Sequence, residues 1–183
     1  KGPFISFGEM SDQYLLNHVG RQFKDRDTPV FFSFLMVSSH VPFVLIPEYI
    51  DDWDRLGDGS IYRKEGIRQF DNNWLSGSEY PEGYVFSIDY VLRAISGYID
   101  RFVDGNSLVI VVGDHQPRIP ISENTATSGV PVHFLSRSPE RLDPLESLGF
   151  SKGFRPADDG TILPMEDFPE LLVSILQPSG YLS

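Results

Sequence analysis

Asp114 and His115 are adjacent residues whose side chains carry the donor atoms that a divalent metal ion accepts. Carboxylate oxygens and imidazole nitrogens are common ligands of Zn²⁺ and Mn²⁺. The pair follows Gly113 and an unbroken apolar run at residues 108–112. Because a strand with one wet face alternates apolar with polar residues, this run predicts a strand covered on both faces. The sequence therefore predicts two metal ligands at the end of a buried strand.

The geometry of this pair depends on the backbone at the strand end. Adjacent residues of a regular strand point to opposite faces, so Asp114 and His115 reach one ion only if the chain leaves strand geometry. Gly113 before them and Pro117 after them favour such a departure. The alternative is an Asp that caps the following turn, with a His packed beside it. The pattern of residues alone leaves both interpretations open.

A second histidine also follows an apolar run. Residues 29–37 (Pro-Val-Phe-Phe-Ser-Phe-Leu-Met-Val) are rich in aromatic and β-branched side chains and predict another central strand. His40 comes next, within the segment Ser-His-Val-Pro-Phe. Functional groups of open α/β sheets gather at the carboxyl ends of the strands. We therefore expect His40 at the same sheet edge as Asp114 and His115.

Helical periodicity separates these two runs. Ser11 and Asp12 offer a cap for a helix reaching about residue 24, and apolar residues at three- and four-residue steps predict a long helix at 84–102. The remaining predicted elements are a short strand at 130–135 and helices at 139–148 and 167–176. Alternating helices and buried strands predict a layered α/β class. No linker divides the chain, so we expect a single domain over residues 1–183.

Composition excludes several classes of protein. The 183 residues are 40% hydrophobic and 22% charged, as in an ordinary globular domain. The net charge of -11 argues against nucleic-acid binding, and the absence of cysteine excludes thiolate sites. No apolar run approaches the roughly 20 residues that span a bilayer. The chain begins with Lys1 and shows no leader pattern, so we expect it to be a piece of a longer protein.

Several segments together resemble a known family. They are Val-Val-Gly-Asp-His-Gln-Pro at 111–117, the helix segment Ser-Ile-Asp-Tyr at 87–90, Ser-His-Val-Pro-Phe at 39–43 and Val-Pro-Val-His at 130–133. In this order they resemble the C-terminal half of the sulfatase-like branch of the alkaline phosphatase superfamily, which includes lipoteichoic acid synthases and phosphoethanolamine transferases. The resemblance implies a layered α/β/α fold with a mixed, mainly parallel central sheet.

The resemblance also implies a reaction and a location. In the family, the pair matched by Asp114 and His115 binds Mn²⁺, Zn²⁺, Ca²⁺ or Mg²⁺, and the histidine matched by His40 lies near the substrate anion. The implied activity is metal-assisted hydrolysis or transfer at a phosphate or sulfate ester. A cation activates the nucleophile and offsets developing charge, and an imidazole holds an oxygen or protonates the leaving group. The implied parent protein is extracytoplasmic and anchored by upstream membrane helices.

The chain departs from the family pattern in one respect. Family members carry a nucleophile and another acidic ligand in the N-terminal half, and no counterpart precedes His40. Two ligands fall short of the roughly four that a catalytic ion needs. We therefore expect this chain by itself to bind metal weakly and to turn over nothing. The alternative function is a non-catalytic ligand-binding or interaction module that keeps the same fold.

Three further residues are candidates for the site. His133 could be a third site residue, or a core histidine with its polar atoms satisfied. Arg118 is close enough in sequence to contact a substrate anion, although solvated loop arginines are commoner. Gln116 could reach substrate or satisfy the turn that follows the strand.

Overall fold

The computed structural model describes residues 10–63, 65–70, 80–117, 128–155 and 162–176. The chain divides into two compact units, Lys1–Val103 and Asp104–Ser183. The described elements of the first unit are helices α1 (Asp12–Phe23) and α2 (Tyr80–Phe102), strands β1 (Leu45–Pro47) and β2 (Ile67–Gln69), and the 3₁₀ helices Trp53–Leu56 and Ser60–Arg63. Those of the second unit are strands β3 (Val109–Val112) and β4 (Val132–Leu135), helices α3 (Asp143–Ser147) and α4 (Phe168–Leu176), and the 3₁₀ helices Pro139–Arg141 and Met165–Asp167.

Both helices of the first unit confirm the predictions that were made from helical periodicity. Helix α1 begins after Ser11, whose hydroxyl accepts a hydrogen bond from the N–H of Tyr14 at 3.3 Å. Helix α2 begins at Tyr80, earlier than predicted, and packs on α1. The two helices approach closely at Gly20, where a Cβ atom would lie 2.4 Å from the Phe102 ring. Around this contact lies a core whose fully buried members are Leu16, Trp53, Leu56, Tyr62 and Ala94.

The first turn of α1 buries an acidic side chain. Ser11, not Asp12, caps the helix, and the Asp12 carboxylate instead accepts the N–H groups of Val37 and Ser38, each at 3.0 Å. Burial raises the pKa of the Asp12 carboxyl above its ordinary value of 3.8, and the two backbone donors oppose that rise. Asp12 therefore connects the start of α1 to residues 37–38.

Gln13, the next residue of α1, connects the helix to three more segments. Its side-chain amide donates to the carbonyl of Ile50 at 2.7 Å and accepts the N–H of Ile50 at 3.0 Å. The hydroxyl of Tyr62 donates to the same side-chain oxygen, at 3.0 Å. The backbone N–H of Gln13 donates to the hydroxyl of Tyr90 on α2, at 3.1 Å. Because Gln13 is fully buried, these bonds replace the water that its amide loses on folding.

The prediction of a central strand at residues 29–37 is wrong. The segment lies outside every assigned strand and forms no ladder with any strand of the described residues. Phe32 and Phe34 pack inward, the first on Phe23 with ring centroids 4.9 Å apart and the second on Tyr98 with centroids 5.7 Å apart. The aromatic side chains of this segment are thus buried by packing on the helices, and they do not indicate that the segment pairs with a strand.

The predicted layered α/β/α fold with a mainly parallel central sheet is also wrong. The described strands form two separate two-stranded sheets, and both are antiparallel. In the second unit, β3 pairs with β4 so that Val109 lies opposite Leu135 and Val112 opposite Val132. An apolar run reports burial, but it does not report the direction of the neighbouring strand. The strands at 108–112 and 130–135 were therefore located correctly and assigned to the wrong kind of sheet.

The second unit has little buried core in its described part. Leu145 is the one described residue of this unit that is buried, and β3 is half-buried with Val112 39% exposed. The prediction that β3 is covered on both faces is therefore wrong for these residues. Aromatic contacts hold the sheet to the helices, since the ring of Phe134 lies 5.1 Å from that of Phe150 and 6.4 Å from that of Phe168. Among the described helices of the whole chain, none is long and apolar enough to cross a membrane.

Substitution of Gly97 tests the packing of α2. An added Cβ would lie 2.5 Å from the Tyr49 hydroxyl and 2.6 Å from the Trp53 ring. We expect Gly97→Ala to lower the free energy of unfolding by about 1–2 kcal/mol in urea denaturation, because overpacking outweighs the gain in helix propensity. Ser96→Ala, at an exposed position of the same helix, is the matched control. Equal stability of the two variants would contradict the packing.

Asp12→Asn tests the buried carboxylate. The N–H groups of Val37 and Ser38 donate to different oxygens of Asp12, and Asn replaces one of these oxygens with an NH₂ group that faces an N–H donor. We expect the free energy of unfolding at neutral pH to fall by about 1–3 kcal/mol. Asp25→Asn, at an exposed position, is the control and should change little. The prediction fails if both variants unfold at the same urea concentration.

The pH dependence of this variant tests the pKa of Asp12. Because burial raises that pKa above 3.8, the folded state binds a proton where the unfolded chain does not. The stability that Asp12 contributes therefore rises as the pH falls through the raised pKa toward 3.8. We expect the gap in unfolding free energy between the wild type and Asp12→Asn to widen over that window. A gap that narrows toward acid would show that the two backbone hydrogen bonds outweigh burial.

Candidate functional site

The backbone leaves strand geometry at His115, where the chain bends. Strand β3 ends at Val112, and the N–H of Gly113 donates to the carbonyl of Pro131 at 2.9 Å. A Cβ at Gly113 would lie 3.0 Å from the Pro131 ring and 3.1 Å from Val130. Glycine at position 113 therefore allows the backbone to lie close to Val130 and Pro131. The departure that the pair requires is present.

The side chains of Asp114 and His115 lie next to each other in solvent. The distance from Asp114 Oδ2 to His115 Nε2 is 3.8 Å, and the side chains are 79% and 64% exposed. A tetrahedral ion with bonds of about 2.1 Å sets its ligand atoms about 3.4 Å apart. A shift of a few tenths of an ångström would thus allow both atoms to bind one ion. Both donors are open to an ion arriving from solvent.

A backbone carbonyl fixes the proton of the His115 ring. His115 Nδ1 lies 2.8 Å from the carbonyl oxygen of Gln116. A carbonyl only accepts hydrogen bonds, so Nδ1 carries the proton, and in the neutral ring Nε2 keeps its lone pair. Metal-binding histidines are commonly oriented by such a bond from their second nitrogen. In the neutral ring with this tautomer, the nitrogen that faces Asp114 is the one with a lone pair for a metal.

The other candidates of the second unit lie differently. The side-chain amide of Gln116 donates a hydrogen bond to the carbonyl oxygen of Gly129, so this side chain connects two parts of the backbone. His133 lies on β4 opposite Val111, and its ring centroid is 5.6 Å from that of Phe154, which is a packing contact. Arg118 lies outside the described residues.

At this position the described residues include two candidate metal ligands, Asp114 and His115. Across the described ranges, no group of three or more His, Cys, Asp or Glu side chains is placed to hold a metal ion. The pair fits a divalent ion in donor type and in spacing, and it needs further ligands for a complete site.

His40 lies in the first unit, in a turn that α1 holds in place. Its N–H donates to the carbonyl of Val37 at 3.1 Å, and the N–H of Val37 itself donates to Asp12. The His40 ring is half-buried, and its Nδ1 lies 2.8 Å from the carbonyl oxygen of Val41. Asp12 is thus a positioning residue for His40 that the sequence presented only as a cap.

The far side of this turn is fixed by α2. A Cβ at Gly83 would lie 2.5 Å from the carbonyl oxygen of Phe43, so the helix can approach the turn only with glycine at this position. The Phe43 ring is buried and meets the Tyr84 ring edge-on, with centroids 5.4 Å apart. The His40 turn is therefore held from both helices of the first unit.

His40 and His115 share one local arrangement. Each begins a His-x-Pro sequence, and in each the ring Nδ1 lies 2.8 Å from the carbonyl of residue x. A residue before proline is restricted to extended conformations, so its carbonyl has few available directions. The repeated spacing, at residues 40–42 and 115–117, is a sequence signal for a fixed ring orientation.

Comparison with known proteins does not place the chain, since no protein-family model, no curated protein and no solved structure matches it.

Proposed function

We propose that Asp114 and His115 are two ligands of a divalent metal ion, and that the metal serves a reaction at a phosphate or sulfate ester. The observation that carries the proposal is the 3.8 Å distance between Asp114 Oδ2 and His115 Nε2. At this distance the two atoms can share a single bound cation. Mn²⁺, Zn²⁺, Ca²⁺ and Mg²⁺ all accept a carboxylate oxygen, and the imidazole nitrogen favours Zn²⁺ and Mn²⁺ among them.

The alternative of a turn-capping aspartate is less well supported. Asp104 shows what such a cap looks like, because its carboxylate accepts the N–H of Asn106 at 2.9 Å and the hydroxyl of Ser107 at 2.8 Å. These bonds lower the pKa of Asp104. Asp114 accepts no hydrogen bond from any residue in the part of the chain that the structure describes. Its oxygens are thus left for solvent or for an ion.

The proposed chemistry assigns a role to each residue. When bound, the metal offsets the negative charge that builds on the transferring group. Asp114 and His115 would hold it. The role beside the substrate anion that the motifs imply for His40 stays a separate prediction, because His40 belongs to the first unit. The ester class and an extracytoplasmic, membrane-anchored parent protein belong to the same proposal, and they rest on the motifs of the sequence.

Titration of the 183-residue chain with MnCl₂, followed by NMR, tests the metal site. We expect Mn²⁺ to broaden the His115 ring resonances at concentrations that leave those of His133 sharp. Asp114→Asn should weaken binding about tenfold or more, which is ~1.4 kcal/mol, because an amide binds a cation less strongly than a carboxylate. His18→Gln, at an exposed position of α1, is the control and should not change the titration.

Two results would contradict the proposal. One is broadening that is the same at every histidine, which indicates non-specific binding to an acidic protein. The other is an unchanged affinity after Asp114→Asn together with His115→Ala.

A further inference from the structure

Two hydrogen bonds hold the turn after β3 against residues 129–131. The N–H of Gly113 donates to the carbonyl of Pro131 at 2.9 Å, and the side-chain amide of Gln116 donates to the carbonyl of Gly129. One bond lies before the two candidate metal ligands in the chain, and the other lies after them. Only the second bond comes from a side chain, so the residue type at position 116 decides whether it forms.

The neutral His115 ring has one proton and two acceptors that compete for it. Nδ1 lies 2.8 Å from the carbonyl oxygen of Gln116, and Nε2 lies 3.8 Å from Oδ2 of Asp114. A carboxylate is the stronger acceptor because it is charged, but only the carbonyl is within hydrogen-bond distance. The hydrogen bond at one ring nitrogen sets the state of the other. The position of the Gln116 carbonyl therefore decides which nitrogen carries the proton.

We infer that Gln116 is a positioning residue for His115. The bond from its side chain to Gly129 holds its own carbonyl at Nδ1 and so keeps the ring proton away from Nε2. This inference rests on the proposed metal site, because Nε2 is the nitrogen that a metal shared with Asp114 would bind. A proton on Nε2 would donate to Asp114 and occupy both candidate ligands. Gln116 thus keeps the pair open for a divalent cation.

The proline that follows Gln116 does not fix the carbonyl by itself. A residue before proline is confined to extended conformations, but its ψ angle still covers a range of about 40°. Rotation through that range swings the carbonyl oxygen away from the ring. The bond to Gly129 anchors the side chain of the same residue and so restricts this rotation.

The turn at His40 shows another way to hold such a carbonyl. Its middle residue, Val41, has no donor in its side chain. That turn is held instead by Asp12 of α1 and by the close approach of α2 at Gly83. In the His115 turn the middle residue supplies the anchor itself. The two turns therefore predict different responses to a substitution at the middle residue.

Nitrogen-15 NMR of the metal-free, 183-residue chain tests the inference at about pH 8.5, where an imidazole ring is neutral. Gln116→Met keeps the length of the side chain and removes its donor. We expect the His115 proton to move from Nδ1 to Nε2 in most molecules, so that the two ring nitrogens exchange their characteristic shifts. The His40 ring in the same spectrum is the internal control and should not change.

Two further variants separate positioning from general damage to the fold. Gln116→Glu has the shape of the natural side chain but cannot donate to Gly129, so it should move the proton in the same direction. Gln69→Met makes the same replacement at an exposed position of β2 and should leave the His115 proton on Nδ1. Unchanged amide resonances of β3 and β4 identify the variants that keep the sheet.

Titration of the same samples with ZnCl₂ links the tautomer to the proposed site. We expect Gln116→Met to weaken zinc binding about tenfold or more, because Nε2 must lose its proton before it binds. Gln69→Met should bind zinc as the wild type does.

The inference is overturned if Nδ1 keeps the His115 proton in both Gln116 variants, or if Gln69→Met moves the proton as well. A different result separates it from the proposed function. If the wild-type ring carries its proton on Nδ1 but does not respond to ZnCl₂, the metal site is contradicted, and the tautomers of the variants still decide whether Gln116 positions the ring.

Discussion

The hydrogen bonds between the Asp12 carboxylate and residues 37–38 are the interaction on which the first unit depends. These bonds connect the buried first turn of α1 to residues 37–38, and the carbonyl of Val37 in turn accepts the N–H of His40. Gln13 adds bonds to Ile50, Tyr62 and Tyr90, so a single turn of α1 reaches four other segments. Burial makes these polar contacts strong and makes each of them costly to lose. The orientation of His40 is a consequence of this buried polar turn.

Sequence patterns predicted the positions of helices and strands well, but they predicted poorly which strands pair with each other. The helices at α1 and α2 were predictable because Leu15, Leu16, Val19 and Phe23, like the apolar residues of 84–102, recur with the helical period. Residues 29–37 were mistaken for a central strand, because an apolar run is the same whether helices or strands cover it. Pairing is a tertiary property, and the described residues give this segment no strand neighbour.

At the candidate site, too, local features were predictable from the sequence and long-range contacts were not. The sequence identified Asp114 and His115 by residue type and by their place after a strand, and the structure brings their donor atoms to 3.8 Å. A loop role was one of the two alternatives that the sequence offered for Gln116, but its partner, the carbonyl of Gly129, was not predictable because it lies 13 residues away. Asp12 was missed for a related reason. The accepting carboxylate lies on α1 and the donating N–H group belongs to Val37, so only the folded structure brings them together.

The central claim is that His115 offers an unprotonated Nε2 to an ion shared with Asp114. Nitrogen-15 NMR of the histidine ring in the metal-free protein measures this directly, because the two nitrogens resonate differently when protonated and when not. We expect the proton on Nδ1, donated to Gln116, and a large shift of Nε2 when ZnCl₂ is added. A proton found on Nε2 at neutral pH, unchanged by zinc, would mean that the ring is paired with Asp114 and would contradict the metal site.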